Sequence, residues 1–181
     1  MLITLGVSIL AVTARPILPS QGLMDQPDIT VSITEDYLNR EVQRGISGGY
    51  STGINGLTLT GLTMDLKPNN QMHLQPTFKA SVPFFGEVSV NAAVTSQISL
   101  HDGNLTSSMV GDPQLGNLDI PLDLLPFDLK GGVNDTVNNI NNEILIARIN
   151  QSLQEGFGES NFAIEGLATD ENLLTVQLKQ R

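Results

Sequence analysis

The side chains able to do chemistry are few and scattered. The 181-residue chain has two histidines and no cysteine. His73 falls at the polar parity of an alternating stretch, and His101 sits in the turn-forming tetrapeptide HDGN. Neither has a second imidazole or a carboxylate at ligand spacing on the same face, so both read as solvated and a designed metal site is not expected. Triad chemistry of the hydrolase kind needs a motif such as G-x-S-x-G, which is absent, as are G-x-G-x-x-G and phosphate-loop patterns. The missing cysteine removes disulfides, thiol nucleophiles, iron–sulfur ligation and lipobox anchoring.

Carboxylates are the remaining candidates. Asp119, Asp123 and Asp128 flank prolines and leucines in GNLDIPLDLLPFDLKGG, residues 116–132. In an extended segment Asp119 and Asp123 share a face but lie about 13 Å apart. That separation is too wide for a glycosidase-type pair. No enzyme and no cofactor is expected. The triplets Asn104-Leu-Thr, Asn134-Asp-Thr and Asn150-Gln-Ser match the glycosylation pattern, but such matches arise readily in a chain this rich in Asn, Ser and Thr.

Charge narrows the partners. A net charge of −10 with nine Lys+Arg argues against nucleic acid, whose phosphates need clustered cations. A bare anionic leaflet would repel the chain, so any membrane tether must be hydrophobic. MLITLGVSILAVTARP supplies one: its apolar run is shorter than the roughly 20 residues of a bilayer span and fits a signal-peptide core. Val12-Thr13-Ala14 offers small residues for cleavage, although no Lys or Arg precedes the run. Residues 1–14 are therefore read as a signal peptide or truncated anchor, with an ordinary N-terminal strand or helix as the other reading. Residues 15–28, with three prolines, read as a linker, and 29–181 as one domain.

That domain opens with a short helix. Thr34 is a good N-cap, Glu35 and Asp36 occupy the first turn, Ile33 and Leu38 form a staple, and Gly45 is the expected C-cap. GISGGYSTGING reads as a flexible loop. Four long alternating stretches follow. Leu57 and Leu59 set one parity and Leu62, Met64 and Leu66 the other, which predicts a bulge at Thr60-Gly61. Met72, Leu74, Phe78, Ala80 and Val82 alternate next, then Val88 through Leu100. HDGN turns the chain into LTSSMVG. Leu118–Leu124 reads as a proline-guarded edge strand.

A second, longer helix carries Val133, Val137, Ile140 and Ile144 on one stripe, widened by Leu145, Ile149 and Leu153. Its other face is rich in asparagine (Asn134, Asn138, Asn141, Asn142), a weak helix former, so packing must hold it. A last hairpin closes the chain. The fold class is α+β: a long, highly curved antiparallel sheet wrapped around a long amphipathic helix, plus a short N-terminal helix.

Such a sheet is a trough with an aliphatic lining. Met72, Leu74, Phe78, Val82, Val90 and Val94 line it from the strands, Val137, Ile140 and Ile144 from the helix, and Leu122, Leu125 and Phe127 at its rim. Two readings are open. The trough holds acyl chains, bound by area rather than by hydrogen bonds, or the helix fills it and no cavity remains.

VSITEDYLNREV and DIPLDLLPFDLKGGVNDTVNNINNEI resemble motifs of the bacterial LmeA/YpmS-like phospholipid-binding family. Ile33, Thr34, Glu35, Tyr37, Leu38 and Asn39 match the first motif. Ile120, Pro121, Leu122, Leu124, Leu125, Val137, Asn138 and Ile140 match the second. Asp123 stands where that family has a second proline, and the leader lacks a basic flank. The resemblance spans roughly residues 29–180. It implies a fold like the tubular lipid-binding superfamily, a phospholipid or other acyl lipid as ligand, and an exported or membrane-anchored domain on the extracytoplasmic side. It carries no catalytic residues. The rival expectation is a filled interaction module docked on a membrane complex.

Overall fold

The computed structural model describes residues 28–116, 127–157 and 162–180. The expected leader and most of the linker, and the expected edge strand Leu118–Leu124 with Leu122 and Leu125, lie outside the described residues. The elements are β1 (Ile29–Thr34), α1 (Glu35–Ile46), β2 (Tyr50–Ser51), β3 (Leu57–Lys67), β4 (Gln71–Val82), β5 (Gly86–His101) and β6 (Asn104–Leu115). A long continuous helix follows, built from α2 (Leu129–Asn139), a π-helical segment (Ile140–Ile146) and α3 (Ala147–Phe157). β7 (Phe162–Asp170) and β8 (Leu173–Gln180) form the last hairpin. The fold is α+β: a strongly curled five-stranded antiparallel half-barrel with a long helix and an additional sheet.

The half-barrel has the order β2-β3-β4-β5-β6, a meander whose β5 runs for 16 residues. Strands this long coil because each carries a right-handed twist. The hairpins are set by residues that tolerate positive φ: Asn69 and Asn70 after β3, and Asp102-Gly103 after β5. The expected irregularity is present, a register shift between Leu59 and Gly61. A second shift, between Ala93 and Thr95, sits opposite Gly111 (φ 75°) and Pro113.

Alternation delivers one buried face. Met72, Leu74, Phe78, Ala80 and Val82 are buried along β4, and Val90, Ala92, Val94 and Ile98 along β5. Each large one contributes about 1.5–3 kcal/mol by leaving water. Covering them are α1, the long helix and a three-stranded sheet of order β1-β8-β7, which brings Leu174, Val176 and Leu178 into the same core.

Four expectations are corrected. The chain before α1 is a strand, β1, pairing residue for residue with β8 from Ile29↔Leu178 to Thr34↔Leu173. Its sequence, Ile-Thr-Val-Ser-Ile-Thr, does alternate, but over only six residues, all of them half-buried. The glycine-rich loop is not wholly loop: Tyr50 and Ser51 pair with Leu59 and Thr58. Gly45 does not end α1, which runs on to Ile46 with Ser47 as its cap. A Cβ at Gly45 would stand 2.9 Å from Ile144 Cγ2, so this glycine lets α1 and the long helix approach. Finally, Ile144 is only half-buried, while Leu145, five residues after Ile140, is buried. A spacing of five is what the π segment imposes on the core-facing stripe.

Candidate functional site

A half-barrel that does not close on itself leaves two sheet edges with unpaired backbone groups. α1 covers one of them. Asn39 Nδ2 donates to Met64 O and Asn39 Oδ1 accepts from Met64 N, each at 2.8 Å. Gln43 Nε2 donates to Leu62 O at 2.8 Å, and Glu35 Oε2 accepts from Leu66 N at 2.8 Å. The helix positions differ by four and the strand positions by two. Four helical residues rise about 6 Å and two strand residues about 6.6 Å, so the ladders stay in step.

The long helix covers the other edge. Asn150 exchanges both bonds with the backbone of Leu105, at 2.9 and 2.8 Å, and Asn142 Oδ1 accepts from Ser107 N at 3.2 Å. The asparagine-rich face opposite the expected apolar stripe is therefore partly an edge-sealing face, through Asn142, and Asn141 is buried. The two helices are tied by Glu41, whose carboxylate meets Arg44 on its own helix and Arg148, at 3.3 Å, on α3.

Between helix and sheet lies a polar spot in an apolar interior. Asn141 Nδ2 donates to Ser96 Oγ at 3.2 Å and also to Ser107 Oγ. Asn141 Oδ1 and Thr136 Oγ1 are buried with no hydrogen-bond partner in the structure. Leaving such a group unsatisfied costs roughly 1–3 kcal/mol. The π segment carries Asn141, and π turns often mark functional sites.

The expected lining residues do come together. Met72, Leu74, Phe78, Val82, Val90, Val94, Val137 and Ile140 are buried in one core cluster, with Phe127 and Ile144 packed against it. They pack on one another. Two surface clefts are formed by other residues. One, of about 390 Å³, lies where Pro76 interrupts the β4–β5 ladder and the β5–β6 register slips; Gln75, Asn91, Ala93 and Gln114 line it. The other, of about 230 Å³, opens at the C-terminal end of α3. Leu153, Phe157, Phe162, Ile164 and Leu178 give it an apolar wall, and Asp102, Asn104, Asn150 and Gln154 a polar margin. Phe157 and Phe162 meet edge to face at 6.3 Å. Sequence reading missed this cleft because the β5–β6 turn that supplies part of its polar margin lies far along the chain from the α3, β7 and β8 residues that form its wall.

The candidate chemistry resolves into structure. Asp128 is the N-cap of α2, its Oδ1 accepting from Gly131 N at 3.1 Å. Asp119 and Asp123 lie outside the described residues. His73 does have a carboxylate across from it, Asp65 on β3, which corrects the expectation of an isolated imidazole. Asp65 is engaged by Lys67 at 2.7 Å, a hydrogen bond that raises the lysine pKa above its ordinary value against a smaller desolvation effect. His101 Nε2 lies 3.2 Å from the exposed Asp102 carboxylate. Among the described residues no group of three or more His, Asp or Glu is placed to hold a metal ion, and no helix is long and apolar enough to cross a membrane.

No protein-family model matches the sequence, and no curated protein does. Among solved structures the chain is similar to a crystal structure of a lipopolysaccharide binding protein, with 10% identity and a TM-score of 0.30. The match covers 92% of this chain and 47% of that one, so the chain spans about half the length of that structure.

Proposed function

We propose that this domain binds the acyl chain of a lipid without transforming it. The observation that carries the reading is the cleft at the end of α3. Its floor includes Leu153 and Leu178, both members of the main core, and its margin is polar. An apolar floor with a polar margin suits a molecule with a tail and a headgroup. At about 230 Å³ the cleft is smaller than the ~300–1,000 Å³ of ordinary small-molecule sites. It receives a chain end, and deeper insertion requires α3 to part from β8 along Leu153 and Leu178. The sequence resemblance supports phospholipid as the ligand class. The apolar N-terminal run supports a membrane-tethered or exported domain acting on the outer side of the cytoplasmic membrane.

Native mass spectrometry of the full chain released from membranes in mild detergent tests this. Adducts of phospholipid mass are expected, displaced by added fatty acid. Lipid-free protein that also fails to take up a fluorescent fatty acid would reject the reading. One observation favours a second reading, a filled module that docks on a membrane complex: Met72, Phe78, Val137 and Ile140 are all 0% exposed. Stoichiometric capture of one membrane-complex subunit by lipid-free protein would support it.

A further inference from the structure

The tip of the β4–β5 hairpin carries the two most exposed large apolar side chains among the described residues, Phe84 at 106% and Phe85 at 57%. The turn is built to hold them there. Phe85 N donates to Val82 O at 3.1 Å across Pro83 and Phe84. This is a β-turn with proline second and a positive-φ residue third, a position that ordinarily takes glycine or asparagine. Phe84 occupies it at φ 70°. A bulky residue there is strained, and its ring makes no burial inside this chain that would offset the strain.

The surroundings of the tip are uncharged. Residues 80–86 carry no charge, and neither do residues 45–64, although the chain as a whole stands at −10. The two stretches touch where Ser81 N donates to Gly56 O at 2.7 Å. Lys79 and Glu87, which flank the tip, pair with each other at 3.4 Å.

We propose that the Phe84-Phe85 tip is a membrane-docking wedge that inserts both rings into the interfacial region of a lipid bilayer. A bilayer favours this occupant over a protein for a geometric reason. Two rings present roughly 300–500 Å² on a pointed tip, whereas a stable protein partner needs about 800 Å² of matched surface. Lipid accommodates a point without a complementary socket. The neutral surroundings keep acidic side chains of these two stretches off the headgroups at the point of contact, and the Lys79–Glu87 pair balances at the base of the tip. Docking needs no lipid in the α3 cleft, so it stands or falls separately from the proposed cargo.

The chain contains no tryptophan, so Phe84→Trp in the full chain places a single reporter at the tip in place of an exposed ring. With phosphatidylcholine vesicles its emission is expected to move to shorter wavelength and to be quenched by a spin-labelled phosphatidylcholine. Val110→Trp, at another exposed apolar position on β6, is the control, and in the same vesicles it is expected to show neither. An unchanged Phe84→Trp emission, or equal quenching at both positions, overturns the proposal. So does a blue shift that appears without vesicles as protein concentration rises, because the rings would then be covered by a second copy of the chain.

Discussion

Asn39 gives Met64 both hydrogen bonds that a neighbouring strand would give it, at 2.8 Å each way, from a single carboxamide on α1. The helix thereby stands in for the strand that the half-barrel lacks along this stretch of β3. The same exchange joins Asn150 to Leu105 on the opposite edge. Edge strands are usually blunted by charge, proline or a bulge; here helix-borne amides do it, and they fix where each helix sits on the sheet.

Asn39→Ala is expected to lower stability by about 2 kcal/mol, because it strands one donor and one acceptor in a half-buried place. Asn138→Ala, on an exposed position of the long helix, should change stability by at most about 0.5 kcal/mol in the favourable direction, from helix propensity alone. Urea unfolding midpoints at constant slope compare the two. Equal effects would mean that the edge bonds contribute nothing net.

The relation of these residues to the sequence explains what was legible. Alternation needs only a count of two, so the buried face of β4 from Met72 to Val82 and the break at Gly61 were readable. Asn39 and Glu35 were matched as part of a motif, yet here they do structural work at a sheet edge, so that motif speaks for the fold more than for a ligand. Asn141 and Asn142 read only as part of the helix face opposite the apolar stripe, and Asn150 only as part of a glycosylation triplet, because composition does not say which backbone a side chain will meet. β1 alternates for only six residues before the helix cap, and its pairing with β8, almost the whole chain away, has no local signal. The stripe drifted at Ile144 because a constant period of 3.6 has no room for a π turn. The α3 cleft joins the β5–β6 turn, α3, β7 and β8, and no local pattern encodes such a meeting.

The buried polar trio should be dispensable for folding. Asn141→Ala leaves Ser96 and Ser107 facing a void and is expected to cost about 1–3 kcal/mol. Combining Asn141→Leu with Ser96→Ala and Ser107→Ala removes donors and acceptors together, including the unpartnered Asn141 Oδ1. That variant is expected to be at least as stable as the natural chain. A thermal midpoint well below that of the natural chain would show that a buried water or a packing constraint holds the trio in place.

Gly45 and Ile144 are predicted to be coupled with a change of sign. Alanine is about 1 kcal/mol better than glycine inside a helix. Yet the new Cβ would stand 2.9 Å from Ile144 Cγ2 and 3.3 Å from its Cδ1. Gly45→Ala should therefore destabilise the natural chain, by about 1 kcal/mol net. In an Ile144→Ala background the obstruction is gone, and the same substitution should stabilise by up to about 1 kcal/mol. A double-mutant cycle by denaturation measures the interaction; additive effects would show that α1 and the π segment move apart easily.

Filling the α3 cleft separates a lipid site from a solid core. Ala163 lies on its wall and is half-buried, so Ala163→Trp puts bulk into the cleft without opening the interior. Stability should change by less than about 1 kcal/mol, since no buried partner is lost. Retained phospholipid should fall several-fold by mass spectrometry. Val137→Ala is the counterpart: it removes a fully buried side chain opposite the sheet, should cost about 1–3 kcal/mol, and should leave lipid retention unchanged if the chain enters beside Phe157 and Phe162. If Ala163→Trp keeps its lipid while Val137→Ala loses it, the acyl chain lies along the sheet's concave face instead, among Met72, Leu74 and Phe78, and the long helix must lift away to admit it.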